Sequence, residues 1–199
     1  LESRHQEGGR AENSRWNRSF AIEENELSME SRYFYKNAQV ALNECGMELS
    51  IEMAEVYTGL ARLFKPRPPQ YSHYREQDSS VNEAFASLSQ ATQIYEVLLG
   101  FDHPETADSY TKMALAYQEN GNFYAASPWI RRAFCVFFKC FGPQDSLTLN
   151  AYEYLKAIET NIDSGLAQVP FDQLQEVIIE LERREKEALE QRTQAIMGS

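Results

Sequence analysis

Residues Ala84-Phe-Ala-Ser-Leu-Ser-Gln-Ala-Thr-Gln-Ile-Tyr-Glu-Val-Leu-Leu-Gly100 and Ala126-Ser-Pro-Trp-Ile-Arg-Arg-Ala-Phe-Cys-Val-Phe-Phe-Lys-Cys-Phe-Gly142 are one pattern written twice, 42 residues apart. Leu88 falls on Ile130, Ala91 on Ala133, Ile94 on Val136, Tyr95 on Phe137 and Gly100 on Gly142. The register holds into the next segment, where Tyr110 falls on Tyr152 and Met113 on Leu155. Apolar residues in each copy recur every three or four positions, which predicts a helix with one buried face. A helix that repeats at this period, with a second helix between the copies, predicts a solenoid of helix pairs.

A second spacing extends the pattern toward the N-terminus. Ala38 to Tyr57, Ala91 to Tyr110 and Ala133 to Tyr152 are each 19 residues. A small residue late in one helix and an aromatic early in the next suit close helix approach, the ring filling the groove that alanine leaves. Tyr57 to Tyr110 is 53 residues, a surplus of 11 over the repeat. The surplus falls on Lys65-Pro-Arg-Pro-Pro69 and the polar run to Ser80, which reads as an insertion between two helices, since proline cannot continue one. Its Pro-x-x-Pro also fits a ligand for an SH3-like module.

Taken in order, the sequence predicts a polar lead-in over residues 1–28, partly helical on the strength of Trp16 and Phe20 four apart. A helix around Tyr33 to Leu42 ends at Gly46, and another runs from Ser50 to Phe64. Further helices span Val81 to Leu99, His103 to Glu119, Phe123 to Phe141 and Gln144 to Ile162. Repeats thus fill residues 29–163, interrupted by the insertion at 65–80. A last helix, from Val169-Pro170 to Ile196, has an apolar stripe (Leu174, Val177, Ile178, Leu181) and then a mixed-charge run. Over residues 164–199 this reads as a cap, because a terminal repeat needs a polar outer face.

These residues resemble tetratricopeptide (TPR) repeats of the kinesin light chain type. The likeness rests on Tyr110, Met113, Ala114 and Tyr117 in one helix, and on Gly121, Ala126, Ile130 and Ala133 after it. The connector Leu99-Gly-Phe-Asp-His-Pro-Glu-Thr106 is similar to the Leu-Gly-x-x-His-Pro turn of those proteins. Lys156 and Glu159 stand where a small residue and an aromatic belong, so the third copy reads as degenerate. A weaker likeness is to the C-terminal helical domain of SET- and MYND-containing (SMYD-type) lysine methyltransferases, without any SET core or MYND zinc module. The fold expected is all-α: an antiparallel helix-pair solenoid of about three TPR-like repeats with a long C-terminal capping helix.

Composition limits the chemistry. The chain has 199 residues, 43% hydrophobic and 25% charged, with a formal charge of −11 from 30 acidic and 19 basic side chains. Such a balance disfavours nucleic acid, whose affinity rests on basic charge. No apolar run reaches the roughly 18 residues of a membrane span, and Leu1-Glu-Ser-Arg-His-Gln has no secretory apolar core. Three scattered cysteines, Cys45, Cys135 and Cys140, make no zinc or disulfide framework. The last two read as small buried hydrophobes within their apolar run. No phosphate loop, zinc-helix or nucleophile-elbow motif occurs. His103 reads as a residue that bonds a helix end. No catalytic residue, metal ligand or cofactor is therefore expected, and the chain reads as no enzyme.

What remains is a surface. The resemblance implies a protein–protein interaction module, an adaptor or scaffold, whose first helix in each repeat lines a concave groove for a peptide. The polar residues there are Thr58, Arg62, Thr111, Lys112, Gln118, Asn150 and Glu153, and Arg62 with Lys112 would favour an acidic partner. The second expectation is an oligomerisation or structural domain of a larger assembly, with a homodimer formed through the N-terminal segment or the C-terminal helix. The kinesin-light-chain likeness implies a cytoplasmic setting, associated with the cytoskeleton.

Overall fold

The computed structural model describes residues 29–63 and 79–197. The expectations for Trp16, Phe20, the rest of the lead-in and the Pro-x-x-Pro motif fall outside that range. Among the described residues the α-helices are α1 (residues 29–44), α2 (Ile51–Arg62), α3 (Ser79–Leu99), α4 (Pro104–Glu119), α5 (Phe123–Phe141), α6 (Ser146–Asn161) and α7 (Phe171–Met197). A 3₁₀ turn, Gly165–Gln168, which the sequence pattern does not announce, links the last two. No strand occurs among the described residues. The chain is an all-α, TPR-like solenoid.

The helix ends follow from local chemistry. The first amide donors of a helix have no partner in the helix itself, and α2, α4 and α6 meet that need at equivalent places. Ser50 accepts from the Met53 amide at 3.1 Å, the His103 Nδ1 from the Glu105 amide at 3.1 Å, and Asp145 from the Leu147 amide at 2.8 Å. These three caps sit one repeat apart. His103 is thus a helix cap with Pro104 in the first turn behind it. Gly46, Gly100, Gly121 and Gly142, which follow α1, α3, α4 and α5, all take positive φ, which glycine adopts without penalty.

Packing proceeds pair by pair. α2 lies against α3, α3 against α4, α4 against α5, and α5 against α6. Tyr35 of α1 rests on α2 at Gly59, where a Cβ would collide with the ring. Tyr110, Ile130, Ala133, Phe134 and Leu155 fill the largest core, joined by Leu174 and Ile178 of α7. Ala61, Leu88 and Met113 join α2, α3 and α4 in a second cluster. A third, around Met53, Ala91 and Ile94, sits under the N-terminal pairs. Of the expected α7 stripe, Leu174 and Ile178 therefore close over the largest core, whereas Val177 is exposed and Leu181 half-buried.

Two expectations about burial fail. Cys140 is exposed and gives its thiol to the Asp102 carbonyl at 3.6 Å, and Cys135 is half-buried. The apolar run continues past the turn at which α5 leaves the core, so Cys140 and Phe141 emerge beside the Gly100–His103 connector. Phe141 stacks on Phe137, ring centroids 6.2 Å apart.

Glu159 is the larger surprise. Placed where the pattern wants an aromatic, it is 0% exposed. Its carboxylate accepts from Ser127 Oγ at 2.5 Å and from Arg131 Nε at 2.9 Å, both on α5. Burial pushes the carboxyl up, but hydrogen bonds from Arg131, Ser127 and Ser164 together outweigh it and hold the pKa below the usual carboxylate range. At this position the third copy packs by a buried ion pair in place of a ring, while Lys156, in the place of the buried Ala114, is exposed.

Candidate partner-binding surface

The seven polar residues expected in the groove do not share one environment. Thr58 is 9% exposed and lies beneath α3, its hydroxyl beside the Tyr95 phenol. It is a packing residue. Arg62 is exposed in the last turn of α2. Thr111 and Lys112 are half-buried on α4; Thr111 returns its hydroxyl to the Ala107 carbonyl at 3.1 Å, and Lys112 pairs with Asp108 one turn back. Gln118 is half-buried, with its carbonyl oxygen inside. Asn150 and Glu153 are exposed on α6.

Some of these residues do correspond. Thr58, Thr111 and Glu153 occupy one repeat position on α2, α4 and α6, and Glu55, Asp108 and Asn150 occupy another. The first and second helices of this set lie near each other. Burial raises the Tyr95 pKa, and the charges of Glu55 on α2 and of Glu105 and Asp108 on α4 raise it further. Carboxylates thus surround the junction of α2, α3 and α4. Lys112 is engaged by one of them, so the surface there gives no support to an acidic partner.

The sequence pattern passed over a cavity of about 200 Å³ between α1, α2 and α3. Tyr57 and Leu60 of α2, Lys36 of α1, and Glu83, Ser87 and Gln90 of α3 line it. Gln39 of α1 donates to the Tyr57 hydroxyl at 3.1 Å, which fixes the ring. The signal that finds this place is the repeat shift itself, because Ser87 aligns with Trp129.

Two apolar surfaces are also open. Met29, Tyr33, Phe34 and Val40 project from α1, Phe34 at 68% exposure. Val97, Phe101 and Phe141 project near the end of α3.

Among the described residues no group of histidine, cysteine and acidic side chains is placed to hold a metal, and no helix is long and apolar enough to cross a membrane.

No known sequence family and no curated protein matches the chain. Its structure is similar to the crystal structure of BtubC (BKLC) from P. vanneervenii, with a TM-score of 0.58 and 18% sequence identity. The likeness covers 82% of this chain and 58% of that one, so this chain spans somewhat over half of its neighbour's length. At that identity the two share a fold. The likeness supports the TPR-like solenoid and gives no support to the methyltransferase domain.

Proposed function

We propose that the chain is a protein–protein interaction module, an adaptor or scaffold that binds a peptide or partner protein along its stacked helices. The observation that carries this reading is the repeated placement of polar side chains at one position of α2, α4 and α6 (Glu55, Asp108 and Asn150), outside cores filled by apolar ones. A solenoid of this kind offers an extended surface whose positions vary from repeat to repeat without cost to the fold. The exposed members of the expected set, Arg62, Asn150 and Glu153, are free to vary in that way. No cofactor, nucleic acid or membrane enters the proposal.

The experiment is a pull-down from a proteome with the intact chain, repeated with Arg62→Glu combined with Lys112→Glu. Both sites lie at the surface of folded helices, so the fold is expected to survive. Loss of the captured partner supports the groove; an unchanged partner list rejects it.

A second reading, assembly with another helical unit, is favoured by the open face of α1. Phe34 holds the repeat position of Trp129, which packs on the helix before it. Light scattering decides this one: a strict monomer at high micromolar concentration rejects self-assembly.

A further inference from the structure

The cavity between α1, α2 and α3 has a counterpart one helix pair along, and there it is filled. Tyr57 and Leu60 correspond to Tyr110 and Met113, and Ser87 corresponds to Trp129. The Trp129 indole lies against the Tyr110 ring with centroids 5.7 Å apart, and it packs beside Met113. Where α5 brings an indole, α3 brings only the hydroxymethyl group of Ser87. The Tyr57 ring is left half-buried at the floor of an opening of about 200 Å³.

We infer that this cavity receives an aromatic side chain of a partner protein, seated on Tyr57 as Trp129 is seated on Tyr110. The inference rests on the interaction-module reading and names the chemistry of its partner. The rim supplies charge on two sides: Lys36 of α1 and Glu83 of α3 are both exposed, and neither pairs with an opposite charge among the described residues. A segment that presents its ring between an acidic and a basic residue meets both rim groups and gains register from them. The ring supplies the buried area, as aromatic anchors do at protein interfaces.

The test uses the full chain, labelled at leucine methyls. The probes are N-acetyl-tryptophanamide and the capped tripeptides Asp-Trp-Lys and Lys-Trp-Asp. Saturable shifts of the Leu60 methyls are expected with all three. One tripeptide order should bind about two- to fivefold tighter, the scale of an exposed ion pair, and Lys36→Glu with Glu83→Lys should reverse that preference. Ser87→Trp is expected to fill the site from within: the new indole emits at shorter wavelength than a solvated one, and the probes no longer bind. Should Ser87→Trp fail to fold, Ala86→Gln blocks the mouth from an exposed position and should weaken every probe.

Several results overturn the inference. One is the absence of saturable Leu60 shifts in the millimolar range. Another is equal affinity for the two tripeptide orders. A third is probe binding that appears only after Trp16→Ala, which would mean that the chain's own tryptophan fills the cavity. A fourth is Leu60 shifts that follow protein concentration alone, which would put a second copy there. The Arg62 and Lys112 reversals lie outside the cavity and should leave probe binding unchanged. Partner loss in those variants without any probe binding would therefore sink the cavity and spare the module.

Discussion

Phe85 and Tyr117 meet where α3 packs on α4, their ring centroids 4.5 Å apart. One repeat further on, where α5 packs on α6, the same two positions hold Ser127 and Glu159, joined by a hydrogen bond and extended by Arg131 in the place of Ser89. The helices run alike; the chemistry between them is opposite. At the first junction apolar area and ring geometry hold the pair. At the second a buried carboxylate is satisfied from two side chains of the facing helix. Three positions have changed together, since a glutamate in place of Tyr117 alone would bury an unpaired charge. Solenoid geometry therefore constrains the volume and the completeness of a junction more tightly than its polarity.

The largest effect should come from breaking the polar junction by half. Arg131→Met leaves Glu159 buried without its cation and should cost about 3 kcal/mol at pH 7, the low end for such a loss, measured by urea unfolding. Rewriting the junction in the chemistry of its neighbour, with Ser127→Phe, Arg131→Ser and Glu159→Tyr together, should recover most of that, because an apolar replacement of a whole buried pair is often neutral. A triple variant no more stable than Arg131→Met would show that the two junctions differ in shape as well as in chemistry.

A smaller and more discriminating effect lies in pH. The Glu159 carboxyl is held below its unfolded pKa, so the unfolded chain takes up this proton first as the solution is acidified. Its contribution is complete above about pH 4.3, the ordinary glutamate value, and is lost as pH falls toward the folded pKa. A double-mutant cycle between Arg131 and Glu159 should thus give a coupling that shrinks below that pH. The cycle between Phe85 and Tyr117 should give about 1 kcal/mol, a usual value for an aromatic pair, with no change over the same range. A flat coupling at the polar junction would mean that its charge contributes nothing.

The contrast also shows what the sequence carries openly. Period, helix pairs, insertion and glycine stops all sit in spacings that one can count, and the helices lie within a few residues of where those spacings put them. Residue character at a fixed position is harder to read. Glu159 looks like decay until Ser127 and Arg131 are set beside it, 32 and 28 residues away. Thr58 looks like a groove residue because it is polar, yet α3 covers it. The cavity over Tyr57 is likewise a fact about two copies compared position by position: Ser87 is unremarked in its own helix and informative only beside Trp129.

The helix starts offer the finest version of the same comparison. Ser50 and His103 cap their helices without a carboxylate of their own, and each is followed by one in the first turn, Glu52 and Glu105. The first turn of α6 has no acidic residue, and there the cap itself is Asp145. Each of the three helices thus has one negative charge against the positive end of its dipole, supplied from the turn in two cases and from the cap in the third. Asp145→Asn keeps the acceptor and removes the charge, and should cost about 0.5 kcal/mol, the scale of a dipole interaction. Asp145→Ala removes both and should cost about 1 kcal/mol or slightly more. In Ser50→Ala only the acceptor is lost, at about 1 kcal/mol, and added salt should leave that figure unchanged while it erases most of the Asn effect. Equal salt dependence for the Ser50 and Asp145 variants would refute this division between cap and turn.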